Sequence, residues 1–376
     1  MKATPIIMFL FALLFCACKD AFTPQVDAKY KNLLVVEGFI SIGTSTTIKL
    51  SRTGDLQDWQ VTVPEKNAEV TITGNKGTLL NGFSGEDGQC VLNTENLSLE
   101  ENYMLSIKLA DGKTYQTAYL DGKASPKIDS LNFAVESKGF QVYIHTHDNS
   151  GNTRYYKWDY QETWEIRSPF PSSVEYKNGK VVTRDPNINI QYCWSTSKSS
   201  HILLETTERL TEDKVTFFPL IHIIGNSVKV AYMYSILVNQ YGLTPEAYQY
   251  LVNMRKNTEQ IGSIFDSQPS ELQGNIVCTS NPGEQVIGWV SAGTVSQKRL
   301  FISYKDKPAA SYDWVYRQSC EAFISSQDSL LYYLGGNKLI IDEQLRDGKV
   351  KYSMSSRECI DCRLRGSNIK PDYWPN

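Results

Sequence analysis

Between residues 33 and 119 the apolar positions come in short runs, most of them with a period of two. Leu33-Leu34-Val35-Val36-Glu37-Gly38-Phe39-Ile40 is nearly continuous and predicts a buried strand, whereas Thr47-Ile48-Lys49-Leu50 and Glu69-Val70-Thr71-Ile72-Thr73 alternate, one face in and one out. Gly74-Asn75-Lys76-Gly77 then supplies a turn. Tyr103 to Leu109 and Thr114 to Tyr119 flank Ala110-Asp111-Gly112-Lys113, and Asp-Gly between two alternating runs is a strong hairpin signal. About seven short strands in this stretch fit an immunoglobulin-like or prealbumin-like β-sandwich over residues 29–125. A small polar linker, Gly122-Lys123-Ala124-Ser125-Pro126, marks a boundary there.

The remainder, residues 126–376, is also strand-rich and predicts a larger antiparallel β domain. Val228 to Val238 reads as one long strand with Val228, Val230, Tyr232, Tyr234, Ile236 and Val238 on one face. A single helix is expected over 244–262. Thr244 caps it, Pro245 occupies its first position, Glu246 faces the dipole, and Gly262 ends it. Ala247, Leu251, Met254, Thr258 and Ile261 recur at helical spacing, so this helix packs on the sheet.

The first residues follow a different pattern. Lys2 precedes an apolar run from Ile6 to Phe15, too short to span a bilayer, and the run ends in Leu14-Phe15-Cys16-Ala17-Cys18. A small residue before a cysteine at the end of such a run makes residues 1–17 a signal peptide and Cys18 the acylated amino terminus. Residues 18–28 then form a lipidated tether, and the lipid holds the chain at a membrane that it never crosses. The formal net charge of −3 and the lack of a basic stripe exclude a nucleic-acid binder.

An exported chain changes how its cysteines are read. Beyond Cys16 and Cys18 there are six, Cys90, Cys193, Cys278, Cys320, Cys359 and Cys362. Disulfides are expected among Cys193, Cys278, Cys320, Cys359 and Cys362, for example from Cys320 to the Cys359/Cys362 pair, while Cys90 reads as a buried free thiol. The Cys359-Ile360-Asp361-Cys362 spacing also occurs in zinc and redox sites. Four zinc ligands are not in view, however, and no βαβ context surrounds the pair.

No nucleophile elbow, His-Glu-x-x-His, P-loop or dinucleotide fingerprint occurs, so no catalytic residues, metal or cofactor are assigned and the chain is not expected to be an enzyme. His145 and His147 share a strand face beside Asp148, but a third protein ligand is missing. The densest aromatic stretch, Tyr155 to Trp164, places Tyr156, Trp158 and Tyr160 on one face. Exposed, that row would bind a glycan or peptide; buried, it would be sheet core.

One further block has a specific look. It runs from Asn253 through Phe265-Asp266-Ser267-Gln268-Pro269 to Ser270, continues at Gly274-Asn275-Ile276, and closes with Asn281-Pro282-Gly283-Glu284-Gln285-Val286-Ile287-Gly288. Together with Leu34-Val35-Val36-Glu37-Gly38, Tyr155-Tyr156-Lys157-Trp158, Glu162-Thr163-Trp164, Gln240 and the ending Pro371-Asp372-Tyr373-Trp374, it resembles a Bacteroidetes lipoprotein family. That family is catalogued as domain of unknown function forty-two forty-nine. The resemblance implies an outer-membrane lipoprotein encoded beside a TonB-dependent receptor, acting as an accessory or lid-like subunit of that transporter. It implies no catalytic residues. In such lipoproteins Lys and two acids after the acylated cysteine accompany display toward the cell exterior; here Lys19 and Asp20 match and Ala21 departs. The alternative is a stand-alone glycan- or peptide-binding surface lipoprotein.

Overall fold

The computed structural model describes residues 32–54, 63–136, 138–259, 272–308 and 314–375. The signal peptide, Cys18 and the tether lie outside them. The protein is mainly β, with several antiparallel sheets and few helices.

The first sandwich forms where the period-two runs predict it. Strand Leu34–Ser41 pairs antiparallel with Ser45–Arg52, and Glu69–Gly74 pairs with both Leu79–Phe83 and Tyr103–Lys108. Leu34, Val36, Ile40, Ile48 and Leu50 of one sheet meet Val70, Ile72, Leu105 and Ile107 of the other in a continuous core. The Asp111-Gly112 hairpin joins Tyr103–Lys108 to Thr114–Thr117, with Gly112 at φ 88°, a conformation that glycine adopts without cost. Glu101 closes the Gly74–Gly77 turn from outside, its carboxylate accepting from the Lys76 and Thr78 amides and the Thr78 hydroxyl.

These N-terminal residues do not complete the sandwich alone. Residues 276–293, which the sequence assigns to the second domain, return to it. Ile276–Cys278 extends one sheet beside Thr114–Thr117. Val286–Ile287 and Ser291–Gly293 run parallel to Leu34–Ser41. Parallel pairing needs a long crossover, and the whole second sandwich serves as one.

That second sandwich packs Ile128–Val135, Gly139–His147 and Lys214–Ile224 against a larger sheet. In the larger sheet Tyr155–Arg167 lies between Met233–Gly242 on one side and Tyr192–Lys198 with Leu203–Thr206 on the other; Val295–Ser303 is the far edge. Tyr156, Trp158, Tyr234, Ile236 and Val238 fill the space between the sheets, meeting Phe140, Val142 and Ile144.

The long strand starts later than its pattern implies. Val228–Val230 is a turn of 3-10 helix capped by Ser227, whose hydroxyl accepts from the Lys229 amide, and the strand begins at Met233. The helix spans Pro245–Glu259, and the Thr244 hydroxyl accepts from the Ala247 amide at 3.2 Å, as an N-cap should. Ala247 and Tyr250 are its buried positions. Ile261 and Gly262 lie outside the described residues.

Beyond the second sandwich a small sheet, Phe323–Ser326, Lys349–Ser356 and Lys338–Arg346, covers a third core around Leu330, Ile340 and Met354. Two disulfides bind this portion. Cys193–Cys362 ties it to the large sheet, and Cys320–Cys359 closes it internally. The Cys359/Cys362 pair therefore sends each sulfur to a different partner. Cys278, expected among the bridged cysteines, is a buried free thiol, because strand pairing carries it into the first sandwich and away from the other four. Cys90 is also free and buried.

Candidate functional site

The aromatic row offered as a binding face is core. Tyr156 and Trp158 are 0% exposed and Tyr160 is 6% exposed. The polar tips of Tyr156 and Trp158 are satisfied inside. The Tyr156 hydroxyl donates to Asp213 at 2.8 Å, and the Trp158 indole N–H donates to Gln240 at 3.0 Å. No ligand reaches them. The strand has two faces, however, and Tyr155 stands on the other one.

Tyr155 lines a cavity of about 690 Å³ where the helix, the second sandwich and the returning segment of the first meet. Ligand sites favour such junctions. Its aromatic wall consists of Tyr155, Tyr248, Tyr250 and Trp289. Tyr155 and Tyr248 lie 5.1 Å apart between ring centres, and Tyr250 and Trp289 lie 5.5 Å apart, both pairs tilted. Helical spacing explains part of the arrangement: Pro245 starts the helix so that Ala247 and Tyr250 turn inward, while Tyr248 is left half-buried beside Tyr155. Trp289 is placed by the parallel strands on either side of it, Val286–Ile287 and Ser291–Gly293. The rings rest on a small core of Leu204, Leu243 and Ala247.

The polar part of the wall is acidic and amidic. Glu208 and Glu246 line it with Gln249, Asn253 and Gln273, and no Lys, Arg or His does so among the described residues. A hydrogen bond to Glu208 is the main cause of a raised Tyr155 pKa. Burial raises that of Tyr248, with Glu205 and Glu208 adding to it and Arg255 opposing. Burial likewise raises Tyr250, the Gly288 amide opposing. The Tyr250 hydroxyl is buried, its oxygen toward the Gly288 amide, and its hydrogen finds no acceptor among the described residues. Electron-rich rings and carboxylates together can hold a cation, or can stack and hydrogen-bond a polar ring.

The histidines stand elsewhere. His147 pairs with Asp129 at 2.8 Å and His145 lies against Asn132 and the Phe217 ring, so the two do not converge. Among the described residues no group of three or more His, Cys, Asp or Glu is placed to hold a metal ion. The cavity beside His147 is bordered by Asp148, whose carboxylate is taken up by its own loop, Ser150, Asn152 and Thr153. In another cavity, about 330 Å³ near Cys278, the lining carboxylate of Glu284 is already paired with Lys113 and Tyr115. The sequence did not single out the Tyr155 groove, because its rings lie on three separate segments.

Fold and groove define a mainly-β protein of two sandwiches and a C-terminal cap, with an aromatic, acidic recess at the junction of the sandwiches. The family described as Domain of unknown function (DUF4249) matches residues 19–299, and the chain belongs to that family. No curated protein matches the chain. The match ends inside strand Val295–Ser303, so the disulfide-bound C-terminal portion lies beyond it.

Proposed function

We propose that this protein is a lipid-anchored outer-membrane protein, displayed toward the cell exterior, that serves as an accessory or lid-like subunit of a TonB-dependent transporter. Its work is binding and gating rather than catalysis. The observation that carries the reading is cysteine usage. Behind a signal-like start stands Cys18, and four of the six later cysteines are joined in two bridges. Disulfides of this kind persist in oxidising compartments and are rare in reducing ones. The transporter partnership follows from the family resemblance in the sequence. A shared membrane would favour such a complex by raising local concentration.

Replacing Cys18 by Ala and fractionating the cells tests the anchor. Release from membranes, or stalled processing, is expected; a processed variant still membrane-bound would overturn it. Mild-detergent purification with crosslinking tests the partner. Co-recovery of a TonB-dependent receptor is expected, and recovery of the lipoprotein alone at native expression would overturn the subunit reading.

A second reading, an independent glycan- or peptide-binding surface lipoprotein, draws on one specific observation. The groove of Tyr155, Tyr248, Tyr250 and Trp289 is large enough for a small ligand.

A further inference from the structure

We infer that the Tyr155–Trp289 groove is a binding site for cationic side chains, and that its ligand is a short basic peptide. The inference rests on the reading that the groove binds a ligand, and adds the class of ligand.

Three independent features point the same way. The first is charge. Glu208 and Glu246 both line the groove, no basic side chain does so among the described residues, and Arg255 acts on Tyr248 without being part of the wall. An anionic ligand meets repulsion from two carboxylates there, whereas a cation meets two attractions and the single opposing charge of Arg255 behind Tyr248. The second is the rings. Aromatic faces attract an ammonium or guanidinium through their quadrupole, most strongly where water is excluded, and Tyr248 and Trp289 are half-buried rather than solvated. The third is an unspent donor. Tyr250 is 5% exposed and lines the groove, and among the described residues its hydroxyl hydrogen has no acceptor. A buried hydroxyl without an acceptor costs free energy, and a ligand carbonyl would relieve that cost. A peptide supplies both things at once, a cationic side chain for the acids and rings and a backbone carbonyl for Tyr250. A neutral sugar would use the rings and leave the two carboxylates without a counter-charge.

The test is calorimetric titration of the full-length mature protein with acetylated, amidated Arg-Lys-Arg. Glu-Ala-Glu and a neutral β-linked glucose trisaccharide serve as comparison ligands. Saturable binding of the basic peptide alone is expected, weakening as salt is raised. In Glu208→Gln/Glu246→Gln, two exposed positions whose change leaves the cores intact, affinity should fall by about tenfold or more. Unchanged affinity in that variant, with its melting temperature also unchanged, overturns the proposal. Binding of the trisaccharide in preference to the peptide overturns the ligand class while sparing the groove as a site. Binding of none of the three overturns both.

Discussion

Trp158 and Gln240 face each other across two neighbouring strands, both 0% exposed, and the indole N–H donates to the Gln240 side-chain oxygen at 3.0 Å. The same amide donates onward, to the Pro126 carbonyl at 2.8 Å and the Thr146 hydroxyl at 3.1 Å. One side chain thus joins the aromatic core, the linker out of the first sandwich and the opposing sheet.

Replacing Gln240 by Leu keeps the volume and leaves the buried Trp158 N–H unpaired; the half-buried Pro126 carbonyl loses one donor, and the Thr146 hydroxyl keeps its bond to the Lys127 carbonyl. A buried donor left unpaired costs about 1–3 kcal/mol, so Gln240→Leu should lower stability by roughly that much. Urea unfolding followed by tryptophan fluorescence measures it. A midpoint equal to wild type would show that these bonds are not made.

Peptide mapping without reductant should find Cys193 joined to Cys362 and Cys320 to Cys359, with Cys90 and Cys278 free. The first pair spans 169 residues and the second 39, so opening the longer loop should cost more. Cys193→Ala/Cys362→Ala is expected to lose about 2–4 kcal/mol, and Cys320→Ala/Cys359→Ala less. A Cys90–Cys278 bridge in the map would contradict the structure.

Glu284 ties the returning segment to the first hairpin, accepting from Lys113 at 2.7 Å and from the Tyr115 hydroxyl at 2.6 Å. Burial pushes its pKa up, but these two partners outweigh burial and hold it below the ordinary 4.5. A carboxylate with a depressed folded pKa contributes stability above its unfolded value and loses it as pH falls through the folded one. Glu284→Gln should therefore cost about 1 kcal/mol at pH 7, discounted because Lys113 is partly exposed. The gap to wild type should narrow as pH falls past 4.5 and close as it passes the depressed folded pKa. A gap that stays constant from pH 7 to pH 3 would show that the carboxylate charge contributes nothing.

How far the sequence could be read depends on how local each signal is. Asp111-Gly112 and Thr244-Pro245-Glu246 are complete within a few residues, and both the hairpin and the helix start form there. The period-two runs place Ile48, Leu50, Val70 and Ile72 in the core for the same reason. Val228 to Tyr232 misleads because alternation does not register Ser227 capping a turn just before the strand. The return of Val286–Gly293 to Leu34–Ser41 is a pairing between distant segments, which no local pattern encodes. The groove is hidden for the same reason, since Tyr155, Tyr248 and Trp289 meet only after that return. For the Tyr156 row, alternation identifies the shared face but not whether it is covered; the sheet of Gly139–His147 covers it.

The block Asn281 to Gly288 ends in glycine for want of space. Gly288 sits at φ +140°, a conformation that side chains rarely adopt, and a Cβ there would lie 2.1 Å from the Val36 carbonyl oxygen. Gly274 crosses at the same place: its Cβ would lie 1.8 Å from the Gly288 carbonyl oxygen. Three backbones therefore stack with no room for a methyl group, where the returning segment docks on Leu34–Ser41. Backbone strain of roughly 1–3 kcal/mol adds to a clash with main-chain atoms that cannot rotate away, so Gly288→Ala should cost about 3 kcal/mol or more. Gly283, in the same block, is the control, because a Cβ there meets only the Asn281 side chain at 3.9 Å. Gly283→Ala should stay within about 0.5 kcal/mol of wild type. Parallel urea titrations of the two variants give the comparison. Equal midpoints would mean that residues 286–293 do not lie against the first strand, and the junction that shapes the groove would go with them.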